Sequence, residues 1–122
     1  MKTSYDEITP FTTKDRSLIR ELMHPDRHGS MNLSFAQAVV EPGRTTVAHL
    51  HRRSEEIYHV VRGTGKMTLG EEQFAIAPGD TVYIAPGRAH CVENTGREAL
   101  IIYCCCTPPY SHADTEIPAE MQ

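Results

Sequence analysis

The chain has no apolar run approaching the roughly 18 residues that a membrane-spanning helix needs. Its start, MKTSYDEITPFTTKD, also lacks the apolar stretch behind a basic segment that marks a secretory signal. These absences argue against membrane contact and secretion, and a cytoplasmic location is expected. Basic charge is not in excess: 12 Lys and Arg against 16 Asp and Glu leave a formal net charge of −4. The few aromatics, 7% of the residues, are not interleaved with a basic stripe, so nucleic acid is not an expected partner. The densest basic spot, Arg52-Arg53, adjoins Glu55 and Glu56 and reads as a solvated turn of mixed sign. Paired cysteine spacing is missing too. Three of the four cysteines are consecutive (Cys104, Cys105, Cys106) and the fourth is Cys91, the pattern of neither a secreted disulfide framework nor a zinc ribbon. Reduced thiols are expected, acting as small hydrophobes in LIIYCCC. Strand alternation allows either Cys104 with Cys106, or Cys105 alone, to face inward.

What is present is a succession of short β-like runs. The chain of 122 residues has room for one core, so residues 1–122 are read as a single domain. Between residues 32 and 106 the runs are Ser34 to Val40, Thr46 to Leu50, Glu56 to Val61, Lys66 to Leu69, Gln73 to Ile76, Thr81 to Ile84, His90 to Glu93 and Ala99 to Cys106. Gly, Pro and charged residues separate them, as in Glu41-Pro42-Gly43, Pro78-Gly79-Asp80 and Ala85-Pro86-Gly87. The class is all-β, a sandwich or barrel. In the arm, residues 1–31, Ser17 to Met23 carries apolar residues at both helical and strand spacings; an extended edge segment is favoured and a short helix stays open. The tail, residues 107–122, is polar and is expected to cover the outer surface or lie loose.

His49 and His51 lie two apart in a strand-like run, so their imidazoles point to one face. Glu56 opens the next run, where the turn Arg52-Arg53-Ser54 brings its carboxylate back over the pair. His90 begins a later strand. Singly, each histidine reads more simply as a hydrogen-bonded core or surface residue. Together the four make a mixed nitrogen and oxygen site suited to one divalent first-row ion: zinc, manganese, iron, nickel or cobalt.

The spacing of the set extends into two motifs, GRTTVAHLHRRSEEIYHVVRG (Gly43 to Gly63) and GDTVYIAPGRAHCVEN (Gly79 to Asn94), which resemble those of the cupin superfamily and span nearly the whole barrel. The resemblance implies a double-stranded β-helix, the jelly-roll barrel, with a metal bound by His49, His51, Glu56 and His90. Glu55 is the alternative to Glu56, which is preferred because six residues then separate it from Gly63, as the family pattern asks. Ala85 stands where many members carry a first proline. The run CCCTPPYSHADTEI looks like that of small cupins labelled mannose-6-phosphate isomerase-like, and the family also points to a homodimer, with SLIRELM covering a partner's sheet edge.

Other residues have plainer roles. His59 should face outward; His24, His28 and His112 should be solvated. Tyr58 shares the face of Glu56, as core filler or pocket donor. Gln37 is a candidate substrate contact if its strand face is the inner one, and Arg44 and Arg88 are the only candidates for a phosphate clamp. If both arginines point away from the cavity, a phosphosugar has no anion site. A small-molecule ligand is expected, under isomerase-like chemistry on a sugar or hydroxy acid, metal-dependent dioxygenation, or non-enzymatic binding. No general acid or base can be named from these residues.

Overall fold

In the computed structural model, which describes residues 1–119, the alternation in the sequence becomes alternation in burial. The strands are β1 (Phe11–Thr12), β2 (Leu18–Met23), β3 (Ser34–Val40), β4 (Leu50–His51), β5 (Glu55–Arg62) and β6 (Gly65–Leu69). They continue with β7 (Glu72–Ile76), β8 (Thr81–Ile84), β9 (His90–Asn94), β10 (Leu100–Thr107) and β11 (Thr115–Glu116). In β5 the side chains of Glu56, Tyr58 and Val60 are buried while Glu55, Ile57 and His59 are exposed, the period of two expected of a sheet with one face on a core. The same rule settles the cysteines: Cys104 and Cys106 are buried in β10 and Cys105 is not.

Three sheets form the barrel. The largest has the order β1-β2-β3-β10-β5-β8; β7-β6-β9 forms a second and β11-β4 a third. The core between the first two is filled by Val60, Ile84, Leu100 and Ile102 from one side and Met67 and Val92 from the other, each 2% exposed or less. Full burial of such side chains stabilises by about 1.5–3 kcal/mol each. The turn after β5 needs glycine. Gly63 has φ of +82°, and a Cβ there would stand 2.7 Å from Ala99 O and 2.9 Å from Leu100 Cα. Asn94 is structural as well: its amide donates to Val40 O and Glu98 O at 2.8 and 2.9 Å, fixing the turn into β10.

The segment Ser17 to Met23 is extended, with Leu18–Met23 in β2. It pairs with β3 along its length, and on its other side β1 covers only Leu18 and Ile19, so the rest of the strand is an edge. The run Thr46 to Leu50 is mostly irregular: only Leu50–His51 is strand, and Thr45 and His49 make isolated bridges to Glu93 and His90. The tail is neither loose nor merely on the outside. Thr115 is 3% exposed, and β11 pairs with β4 in the register Thr115↔His51. Residues 120–122 of that tail lie outside the described residues.

Candidate metal centre

The two motifs are locked together at backbone level. His49 N–H donates to His90 O at 3.1 Å and His90 N–H to His49 O at 2.9 Å. From this bridge and from β4, the imidazoles of His49, His51 and His90 converge, each placing one ring nitrogen within 4.8 Å of the others. All three are at most 4% exposed. Glu56 enters from β5, with Oε1 3.2 Å from His51 Nε2 and 3.6 Å from His90 Nε2.

The far nitrogen of every ring is fixed. His49 Nδ1 lies 3.0 Å from Val47 O and His90 Nδ1 2.9 Å from Arg88 O. A carbonyl only accepts, so each Nδ1 carries the hydrogen. For His51 the partner is Thr115 Oγ1 at 3.0 Å, whose own hydrogen goes to Ser111 O at 2.9 Å. That hydroxyl therefore accepts, and His51 Nδ1 donates. Burial, and next the neighbouring His90, hold His49 down at a pKa of about 4, so it is neutral at pH 7. The tautomers leave three Nε2 lone pairs, and those of His51 and His90 face the Glu56 carboxylate with no proton between them. His90 Nε2 and Glu56 Oε1 are buried and make no hydrogen bond. A cation satisfies such a donor set, and the residues present fit one.

The second oxygen of Glu56 is occupied: Cys106 Sγ–H donates to Oε2 at 3.1 Å. Burial, reinforced by the charge of Glu56, pushes the Cys106 thiol up, and Cys104 is raised chiefly by burial, so both stay protonated.

His49, His51 and Glu56 line a cavity whose free volume, about 50 Å³, suits a few waters or part of one small molecule. Glu21, Ala36, Tyr58, Cys104, Tyr110 and Thr115 are among its other walls. Tyr58 is buried there with its ring against His90, centroids 5.7 Å apart. Three expected substrate contacts are elsewhere. Gln37 is buried but on the opposite face of β3 from Ala36 and Ala38, and it accepts a hydrogen bond from Tyr5 Oη at 3.0 Å, so the inner-face condition fails. Arg44 and Arg88 are exposed and line no part of the cavity; Arg88 Nη2 donates to Leu69 O at 3.0 Å. The sole lysine on the wall, Lys14, has its Nζ bound to His112 O and Thr115 O at 3.1 and 2.8 Å. His59 and His112 are exposed as expected. His24 is not solvated: it is 9% exposed and bonded through Nε2 to Tyr110 O. His28 is half-buried, its Nδ1 accepting His24 N–H at 3.0 Å.

A family model described as Cupin domain matches residues 36–106, more than half of the chain. The chain belongs to the cupin family. It is 50% identical over 117 residues to an uncharacterised protein of Methanocaldococcus jannaschii, covering 96% of this cupin and 94% of that protein. It is 36% identical over 89 residues to a glucose-6-phosphate isomerase of Thermococcus gammatolerans, covering 62% of this chain and 46% of the isomerase. The cupin thus spans under half of that enzyme. Among solved structures, a predicted oxalate decarboxylase of Thermotoga maritima superposes with a TM-score of 0.77 at 24% identity, over 88% of this chain and 99% of that one. The likeness establishes the jelly-roll fold, and within it three histidines stand positioned to hold an ion.

Sequence reasoning missed Glu21, Asp15, Tyr110 and Thr115 as cavity walls. The only trace was strand-like alternation in SLIRELM, which put Ile19 and Glu21 on one face. The pair Thr115–Glu116 is too short to carry a period.

Proposed function

We propose that this cupin holds one divalent transition-metal ion through His49, His51, Glu56 and His90 and acts on a small, uncharged hydroxy-carbonyl compound by isomerase-like proton transfer. The observation that carries the reading is the set of three convergent imidazole nitrogens beside an unpartnered carboxylate oxygen, with His49, His51 and Glu56 bordering a cavity. When bound, the ion supplies Lewis acidity towards a carbonyl oxygen. The chain's own residues do the rest. Val47 O, Thr115 Oγ1 and Arg88 O fix the imidazoles, and Cys106 steadies Glu56.

The lining argues for an uncharged ligand. Asp15, Glu21 and Glu56 face the cavity, no arginine does, and Lys14 is engaged by carbonyls. A phosphosugar or a hydroxy acid would meet carboxylates without a clamp, so the neutral sugar-like version survives. The likeness to glucose-6-phosphate isomerase supports the reaction class, not the phosphate.

We further infer a homodimer, resting on the outer face of the six-stranded sheet. Phe35, Ile57, Val61 and Tyr83 are exposed there at 39–56%, and Phe35 stacks on Tyr103 at 5.6 Å. A cytoplasmic location rests on the sequence reading; among the described residues no helix is long and apolar enough to cross a membrane.

The deciding experiment is metal analysis of protein purified without a metal-chelating column, followed by screening of aldoses, ketoses and catechols under air and under nitrogen. Turnover of a sugar in both atmospheres supports the proposal. Oxygen-dependent turnover would replace it with dioxygenation, and tight binding of an unchanged ligand with a binding module.

A further inference from the structure

Glu21 is a carboxylic side chain in the cavity wall with one oxygen left unbonded. It is 7% exposed, and its Oε2 is buried without a hydrogen-bond partner. On β2 it shares the inner face with Ile19, and the register carries that level across the sheet: Glu21 pairs with Ala36, Ala36 with Cys104, and Cys104 with Tyr58. All four line the cavity. Glu56 sits one inward-facing residue further along, in the level where it pairs with Cys106 and Cys106 with Ser34. Glu21 and Glu56 are on strands three places apart, roughly 14 Å along the sheet at a spacing of about 4.8 Å. Glu21 therefore lines the same cavity as His49, His51 and Glu56 from a different place on its wall.

A second feature distinguishes Glu21 from an ordinary buried acid. It also lines a second groove with Phe11, His24, Asp26, Arg27 and Tyr110, and Tyr110 likewise borders both spaces. His24 there is in a defined tautomer: Nδ1 accepts Asp26 N–H at 3.1 Å, so Nε2 carries the hydrogen given to Tyr110 O at 2.8 Å.

We propose that Glu21 is the catalytic acid–base residue of this cavity, moving a proton between adjacent carbons of an uncharged hydroxy-aldehyde or hydroxy-ketone held between it and the histidine cluster. The proposal rests on the isomerase-like reading above and names the residue that reading needs. Glu21 takes the proton from the carbon beside the carbonyl; the C–H pair becomes a C=C bond and the carbonyl π pair passes to oxygen. The hydroxyl proton moves from one oxygen to the other, and Glu21 returns its proton to the former carbonyl carbon. Atoms and electrons balance with no oxidant or reductant. Burial raises the Glu21 carboxyl above its usual range, with His24 and Arg27 holding the rise back. That direction brings a carboxylate closer to the basicity useful at neutral pH.

The test uses the metal-loaded full chain in D2O with glyceraldehyde, dihydroxyacetone, erythrose and xylose, reading deuterium entry beside the carbonyl by NMR. Glu21→Gln is expected to slow entry by roughly 10²- to 10⁴-fold while keeping metal stoichiometry and a cooperative melt. In protein carrying ¹³C-carboxyl glutamate, the signal lost in Glu21→Gln is expected to move when the sugar binds, with or without metal. Wild-type rates in Glu21→Gln would overturn the proposal and leave the functional reading standing. Loss of metal from that variant would also overturn it, making Glu21 a support of the centre. Absence of deuterium entry in the metal-loaded wild type would overturn the isomerase-like reading and this proposal with it.

Discussion

Thr115 Oγ1 accepts the hydrogen of His51 Nδ1 at 3.0 Å, so a residue of the polar tail sets the tautomer of a histidine in the first motif. Removing the acceptor while keeping the shape, in Thr115→Val, is expected to weaken metal affinity about 10- to 100-fold. Thr115→Ser should retain it. Competition with a chromogenic chelator measures both, and equal affinities in the two variants would show that the hydroxyl does not orient the ring.

His51→Ala removes a proposed ligand and leaves Glu56 Oε1 facing His90 alone. The variant is expected to retain well under one tenth of the wild-type metal content by atomic emission, and His49→Ala/His51→Ala none. Full occupancy of the double variant would remove the first motif from the centre.

Cys106 is the donor to Glu56 Oε2, so its replacements should differ. Cys106→Val leaves a buried carboxylate oxygen unpaired, at a cost of about 1–3 kcal/mol in unfolding free energy, whereas Cys106→Ser should stay near wild type. Thiol titration of freshly prepared, denatured protein should count all four cysteines as free, with Cys104 and Cys106 unreactive until unfolding. A disulfide found by mass spectrometry would contradict this.

Glu21 gives a pH signature independent of turnover. Its folded-state pKa is raised from 4.5 by burial, with His24 and Arg27 lowering it and Asp26 adding to the rise. Stability from such a group is complete below the unfolded value and is lost as pH rises through the folded one, because the unfolded chain then releases its proton first. Calorimetry of metal-free protein should therefore give equal melting temperatures for wild type and Glu21→Gln near pH 4 and a higher one for the variant at pH 8. A higher melting temperature for wild type at pH 8 would mean that the ionised carboxylate is stabilised in the fold.

The apolar outer face predicts a dimeric mass by light scattering at micromolar concentration, and Ile57→Glu, with Ile57 44% exposed, should shift the protein towards monomer. A monomeric wild type would dismiss the interface.

The barrel and the first-motif histidines were legible because both follow from local rules. Strand alternation in EEIYHVV separates Glu56, Tyr58 and Val60 from Ile57 and His59, and the two-residue step joins His49 to His51. Legibility ended where contacts are remote in sequence and carry no period. Lys14 meets Thr115 O across 101 residues, and His24 meets Tyr110 O across 86. Gln37 shows the limit from the other side: alternation placed it with Phe35 and Val39, but whether that stripe looked in or out depended on Tyr5, which covers it.

The pairing of β11 with β4 closes the ring of contacts around His51. Docking the tail costs chain entropy, which the ladder offsets together with Lys14 Nζ on His112 O and Thr115 O, His24 Nε2 on Tyr110 O and the Arg53 and Ser54 N–H groups on the Asp114 carboxylate. Any cation held at His51 favours the docked tail, since binding to the folded state alone raises apparent stability by RT ln(1 + [L]/Kd). In a fold whose cysteines are all free, the ion would take the part of a reversible cross-link, and chelation would loosen the barrel at its tail before its strands.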